Sequence, residues 1–276
     1  MTSVAVLPLH DMRIFAGEVA QADILCDGRL ILGVGRGAFA YEMSRLGVPL
    51  EVSRERFDES LEVLRLLLGE EEVSFNGKYY RFEPLTTMPR PLSQPMPQMM
   101  IAALRPEAIY HCAKRGYHVQ TTPLQSSREH MLEQVTAFHR GRAECRPGGK
   151  HLRLSLSRVL FAAKDAADVR AKEKLAHEYY KRFDNVFGGA GKVSHGAIEP
   201  LPRKQTIAEL AQNILIGTAA QLRHRLNVYA EVGVDELIVN MNIGASQAET
   251  LASMRRFGEE VMPHFAGSVQ QTAGAV

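Results

Sequence analysis

The chain has 276 residues, 45% of them hydrophobic and 23% charged, which suits one globular domain (1–276) with an ordinary buried core. Its 33 Lys+Arg against 31 Asp+Glu form no like-charged stripe able to neutralise a phosphate backbone, so no nucleic acid partner is expected. Three cysteines without paired spacing, no signal-peptide pattern and no segment of transmembrane length point to a soluble cytoplasmic protein without a structural metal, a disulfide framework or a membrane anchor.

In chain order, short aliphatic runs alternate with amphipathic stretches, the pattern of βα units on a parallel sheet. The strand-like runs are Ser3 to Leu7, Leu30 to Val34, Gln98 to Ala102, His118 to Thr122, Leu154 to Phe161 and Leu237 to Asn240, about six by pattern. A helix is expected to start at Ser53 as N-cap and to carry Phe57, Leu61, Leu64 and Leu68 on one face until Gly69. Residues 70–97 interrupt the rhythm: Asn76-Gly77 between aromatic runs predicts a hairpin, and five prolines from Pro84 to Pro97 predict an extended strap. Residues 185–205 read as a long mobile loop, with Gly188-Gly189-Ala190-Gly191 followed by Pro200-Leu201-Pro202, and so as a candidate lid. A last helix is expected to place Leu251, Met254 and Val261 on one side.

The stretch from Gly28 to Ala38 reads as an anion site: a strand ending in Gly33, Gly35 and Gly37 around Arg36, whose planar guanidinium suits phosphate oxygens. Equally open is that the glycines only permit close packing and Arg36 pairs with a carboxylate. The same run partly matches a dinucleotide-binding fingerprint, with Glu51 or Glu55 as the ribose acid. The context opposes that, because the following helix is cut short by Gly47-Val48-Pro49 and the next strand-like run is the hairpin.

The combination of Leu7-Pro8-Leu9-His10, Gly33-Val34-Gly35-Arg36-Gly37, Glu42, Arg56 to Leu64, the Asn76-Gly77-Lys78-Tyr79-Tyr80 hairpin, Pro89 to Pro97, Ala113 to Gly116 and Gly233 to Leu237 resembles the luciferase-like monooxygenase family over nearly the whole chain. The resemblance implies a TIM-type (β/α)8 barrel acting on a small-molecule substrate with molecular oxygen and reduced FMN, which a separate flavin reductase would supply. Arg36 then takes the phosphate-binding position between Gly35 and Gly37, with Leu104 and Arg105 in the loop that also holds phosphate. Glu42 falls where relatives place an acid near the flavin, Phe39 could line the pocket, and Thr2 and Ser3 match the strand beside the flavin ring. A homodimer is expected by the same likeness.

The match begins at what resembles the family's third strand, which predicts an N-terminally incomplete barrel of about six strands with open edges on the Ser3 and Leu237 strands. A start assigned too far downstream ranks ahead of a reduced barrel and of a remnant as its origin. None of the ten histidines stands out as a base or pairs at metal-ligand spacing, and His10-Asp11 reads as a helix start. Arg36 favours FMN over the deazaflavin F420. A non-catalytic flavin-binding protein is the alternative from another class.

Overall fold

The computed structural model describes residues 1–124, 126–146, 148–187 and 191–266. Eleven strands and nine α-helices alternate along these residues. Seven of the strands form one parallel sheet. These are β1 (Ala5–Val6), β2 (Ile31–Gly35), β5 (Gln98–Ala102), β6 (His118–Thr121), β7 (Leu154–Ala162), β10 (Leu215–Gly217) and β11 (Glu236–Asn240). The order is β1-β2-β5-β6-β7-β10, with β11 also on β7, so β1 stands at one open edge, as expected, and β10 and β11 share the other. Among the described residues the sheet does not close into a barrel. The strand not foreseen is β10: three buried residues between two helices carry no period to read.

The helices dock where their apolar stripes match the strands' alternating residues. Helices α1 (Met12–Leu25) and α3 (Leu50–Gly69) bury Met12, Phe15, Val19, Phe57, Leu61, Leu64 and Leu68 against Leu32 and Val34 of β2 and Met99 and Ile101 of β5. The one helix between them is the six-residue α2 (Ala40–Arg45), which follows β2 and is ended at Gly47 as the sequence implied. A second cluster joins α4 (Pro106–Lys114) and α5 (Arg128–Glu144) to Val119, Leu154, Leu156 and Leu160. A third sets α6 (Ala166–Phe187) and α7 (Ile207–Asn213) against Val159 and Phe161. Helices α8 (Ala219–Glu231) and α9 (Gln247–Arg256) complete the set. Thus α1, α3, α4, α5 and α8 cover one face of the sheet, while α6 and α7 pack on the opposite face of β7.

Two expectations need correction. Ser53 is not a cap: α3 begins at Leu50 after Pro49, and the buried Ser53 hydroxyl donates to the Leu50 carbonyl, because Pro at the turn already presets the first φ. Leu251 and Met254 do not share a buried side with Val261, being 54% and 50% exposed while Val261 is buried. The backbone widens into a π turn at Phe257–Val261, which breaks the 3.6-residue register between them.

The hairpin forms where expected, as β3 (Val73–Asn76) and β4 (Arg81–Leu85), yet Asn76-Gly77 is not its two-residue turn. The Glu59 carboxylate of α3 accepts from the backbone N–H groups of Lys78, Tyr79 and Tyr80, and a Cβ on Gly77 would lie 2.4 Å from that carboxylate. Glu55 accepts from Lys78 Nζ and the Tyr79 hydroxyl, so the residue considered as a ribose acid anchors the hairpin. In the strap, Arg90 donates to the Leu67 and Leu68 carbonyls at the end of α3, and buried Asp23 accepts from Ser93.

Segment 185–205 contains a small hairpin, β8 (Val193–Ser194) with β9 (Ala197–Ile198). Gly188, Gly189 and Ala190 of the glycine run lie outside the described residues. The buried Asn185 side chain accepts from the Gly191 N–H and donates to the Lys192 and Glu199 carbonyls, which ties the hairpin to the end of α6. Asp11 caps α1 by accepting from the Arg13 N–H, and His10 stacks on Phe15.

Candidate active site

Parallel strands bring all their C-terminal ends to one rim, and the loops leaving that rim carry most of the residues singled out in the sequence. Strand β2 ends at Gly35 and delivers Arg36, Gly37, Phe39 and Glu42, the last in the first turn of α2. Its partner β5 pairs Val34 with Ile101 and ends at Ala102, delivering Leu104 and Arg105 just ahead of α4. The two predicted phosphate-binding groups therefore leave adjacent strand tips.

Arg36 and Arg105 are both exposed, and among the described residues neither guanidinium makes a hydrogen bond or an ion pair. Pro106 occupies the first turn of α4, so the positive end of that helix opens beside Arg105. Free cations beside a helix N-terminus form an electropositive rim suited to a phosphate group. Glu42 is also exposed, while Phe39 is half-buried and stacks on Tyr41 at 5.7 Å between centroids.

The glycines serve packing. A Cβ on Gly33 would lie 2.1 Å from the Thr2 carbonyl oxygen, one on Gly35 2.8 Å from Val4 Cγ2, and one on Gly37 2.6 Å from Met43 Sδ. The N-terminal segment thus lies directly on β2, with the buried Met43 of α2 beneath Gly37. Gly37 also has φ +86°, whereas Gly47 at φ +74° has nothing within 4 Å of its Cβ position. Gly37→Ala is therefore expected to cost about 2 kcal/mol or more, from strain plus overpacking, against about 1 kcal/mol for Gly47→Ala. Urea unfolding of the two variants checks this, and equal losses would remove the packing part of the argument.

Thr2 and Ser3 lie lower than the rim. The Thr2 N–H donates to the Ile31 carbonyl and its hydroxyl to the Gly33 carbonyl, while Ser3 Oγ accepts from Gln120 of β6. The Ser3–Val4 peptide bond is cis. Both side chains are thus engaged along the strands, while Arg36, Phe39, Glu42, Leu104 and Arg105 share the rim.

Sequence reasoning passed over two side chains that shape this rim. Gln134, wholly buried on α5, donates to the carbonyls of Leu104 (2.7 Å) and Thr122 (3.1 Å), and so ties the loops after β5 and β6 together. A buried glutamine on an otherwise apolar helix face is a visible signal, since burial of an amide requires partners. Asn240, at the end of β11, donates to the Tyr179 hydroxyl of α6, whose pKa burial raises above the ordinary phenol value. His118 sits at the opposite, N-terminal end of β6.

The profile of the luciferase-like monooxygenases matches residues 1–236. The chain belongs to that family. With it comes the oxidoreductase class of flavin-dependent monooxygenases and a TIM-barrel type of fold. The oxygenase component of a flavin-dependent trigonelline monooxygenase from Acinetobacter baylyi is 28% identical over 276 residues, covering 97% of this chain and 76% of the relative. Among solved structures, the monooxygenase RslO1 from Streptomyces bottropensis superposes with a TM-score of 0.79 at 24% identity, over 96% of this chain and 77% of its own. The oxygenating constituent of 3,6-diketocamphane monooxygenase from Pseudomonas putida, solved in complex with FMN, gives 0.70 at 16% identity, over 94% and 78%. Among the described residues of this luciferase-like chain, no group of His, Cys, Asp or Glu is placed to hold a metal, and no helix is long and apolar enough to cross a membrane.

Proposed function

We propose that this protein is the oxygenase of a two-component system, binding reduced FMN from a separate flavin reductase and using molecular oxygen on a small organic substrate. One observation carries the reading: two guanidiniums without ion pairs leave neighbouring strand tips beside a helix N-terminus, where a dianionic phosphate tail would meet them. FMN fits such a rim better than a neutral riboflavin would, because only the phosphate compensates both cations. Names of relatives agree, with an FMNH(2)-dependent dimethylsulfone monooxygenase from Pseudomonas putida 25% identical over 276 residues.

In this reading Arg36 and Arg105 hold the phosphate, and Gln134 positions the loop that carries Leu104 and Arg105. When bound, reduced FMN supplies the electrons that activate oxygen. The chain's own work is orientation and exclusion of water. Phe39 and Gly191 supply the exclusion: the Cβ position of Gly191 lies 2.8 Å from Phe39 Cε2, so the hairpin that follows Gly191 would cover the rim as a lid. Glu42 is the carboxylate placed to hold or release a proton at that rim. A homodimer and a cytoplasmic setting belong to the same proposal.

The test is turnover with a flavin reductase, FMN and a substrate panel, read by incorporation of labelled oxygen from O2 into product. FMN-dependent incorporation is expected. Saturable FMN binding without oxygen consumption or incorporation would favour a non-catalytic flavin-binding protein, and activity with reduced F420 in place of FMN would move the chain to the deazaflavin branch.

A further inference from the structure

Away from the rim, a cavity of about 220 Å³ opens between the loop after β6, the end of α7 and the face of α8. Its lining contains Arg128, Arg158, Arg225 and His224, the hydroxyls of Ser126 and Ser127 and, among the described residues, no carboxylate. None of Arg36, Glu42 or Arg105 reaches it. Arg158 lies on the face of β7 that packs against α4, α5 and α8, between Leu156 and Leu160, and is only 6% exposed.

The hydrogen bonds of the two inner arginines go to neutral groups. Arg158 donates to the carbonyls of Leu124 and Asn213, and its Nε has no partner. Arg225 donates to the carbonyls of Ala211, Gln212 and Ile216. Carbonyl dipoles satisfy N–H groups but leave the net charge, and among the described residues neither guanidinium has a carboxylate within ion-pair distance. Burial lowers the Arg225 pKa below the ordinary guanidinium value, with the charge of Arg158 adding to it and Tyr229 and Glu173 opposing. Helix α5 begins at the same spot, with Ser127 as its N-cap, so a helix N-terminus adds partial positive charge. Glu173 is the carboxylate close enough to act on the charge of Arg225 without pairing with it, and the acids of the adjoining open groove are engaged elsewhere: Glu209 in its capping box with Thr206, and Glu129 beside Ser127.

We propose that this cavity binds a phosphate-type oxyanion, either free or as the head group of a small organic phosphate. Arg128 and His224 at the exposed lip would admit the anion, and the buried charge of Arg158 would meet it at the floor. Met131, Val228 and Tyr229 give the remaining wall an apolar character that suits a short organic group. The site is separate from the proposed flavin site, and its existence does not depend on that reading.

The experiment is calorimetric titration and thermal unfolding of the full chain with inorganic phosphate and, in parallel, glycerol phosphate, at ionic strength held constant with chloride. It is run in an Arg36→Ala, Arg105→Ala background, which removes the rim cations. Saturable binding and a rise in Tm are expected, with Kd weakened at least about tenfold by Arg128→Glu, a lip substitution that leaves the core intact. Arg158→Met should abolish the response, and His224→Ala should reduce it. Tighter binding of glycerol phosphate would identify an organic phosphate, and equal affinities the free anion. A response no larger than that of chloride, or one unchanged by Arg128→Glu and His224→Ala, overturns the proposal.

Discussion

Removing both rim cations, Arg36→Ala with Arg105→Ala, is expected to weaken FMN binding about 100-fold while leaving riboflavin binding unchanged. Charge-assisted hydrogen bonds contribute about 1.5–3 kcal/mol each, and the exposure of both side chains places them at the lower end, about 3 kcal/mol together. Each single variant should lose about tenfold. The riboflavin arm isolates the phosphate, since the ring system is common to both ligands. Titration by quenching of flavin fluorescence reads the result, and equal losses for FMN and riboflavin would mean that the arginines support the fold of the rim rather than hold the phosphate. The double variant should unfold at the same urea concentration as the parent, because neither side chain has a partner to lose.

Acid should destabilise the fold between pH 6.5 and 4 through His118, at the end of the sheet away from the rim. Its Nδ1 accepts from the Arg153 backbone N–H and its Nε2 lies 2.8 Å from the Gln98 side-chain amide. Protonating the ring would set a second N–H against the Arg153 donor. Burial, then the neighbouring His151 and Arg153, push its pKa down to about 4 from 6.5, against a smaller opposing pull from Asp235. In that window the unfolded chain binds a proton that the folded chain does not, so stability rises with pH. The contribution is fully present above pH 6.5 and is lost as pH falls towards 4, by about 3 kcal/mol in all. Urea unfolding at pH 7 and 4.5 measures it. His118→Gln should flatten this part of the profile, and an unchanged slope in that variant would assign the effect to other groups.

Much of the architecture was legible without coordinates. The strand-like runs anticipated six of the seven sheet strands, the short α2 was implied by Gly47-Val48-Pro49, and the strand tip carrying Arg36 was located, because period and punctuation are local properties of a chain. The errors also had local causes. Ser53 is a good cap residue, but Pro49 four positions earlier starts the helix, and the apolar spacing of Leu251 and Met254 misled because a π turn shifts the register before Val261. The Asn76-Gly77 signal found the hairpin but not its organising group, the Glu59 carboxylate that reaches the turn from α3.

Composition and pattern alone therefore determined the class of fold, the order of its units and the residues offered at the rim. Tertiary structure decided what fills the space beside each glycine, that Gln134 ties the loops carrying Leu104 and Thr122, and that Arg158 and Arg225 share one cavity with no acid among its described residues. Those outcomes rest on contacts across tens of residues, where register and packing set the distance and no local periodicity records which side chains will meet.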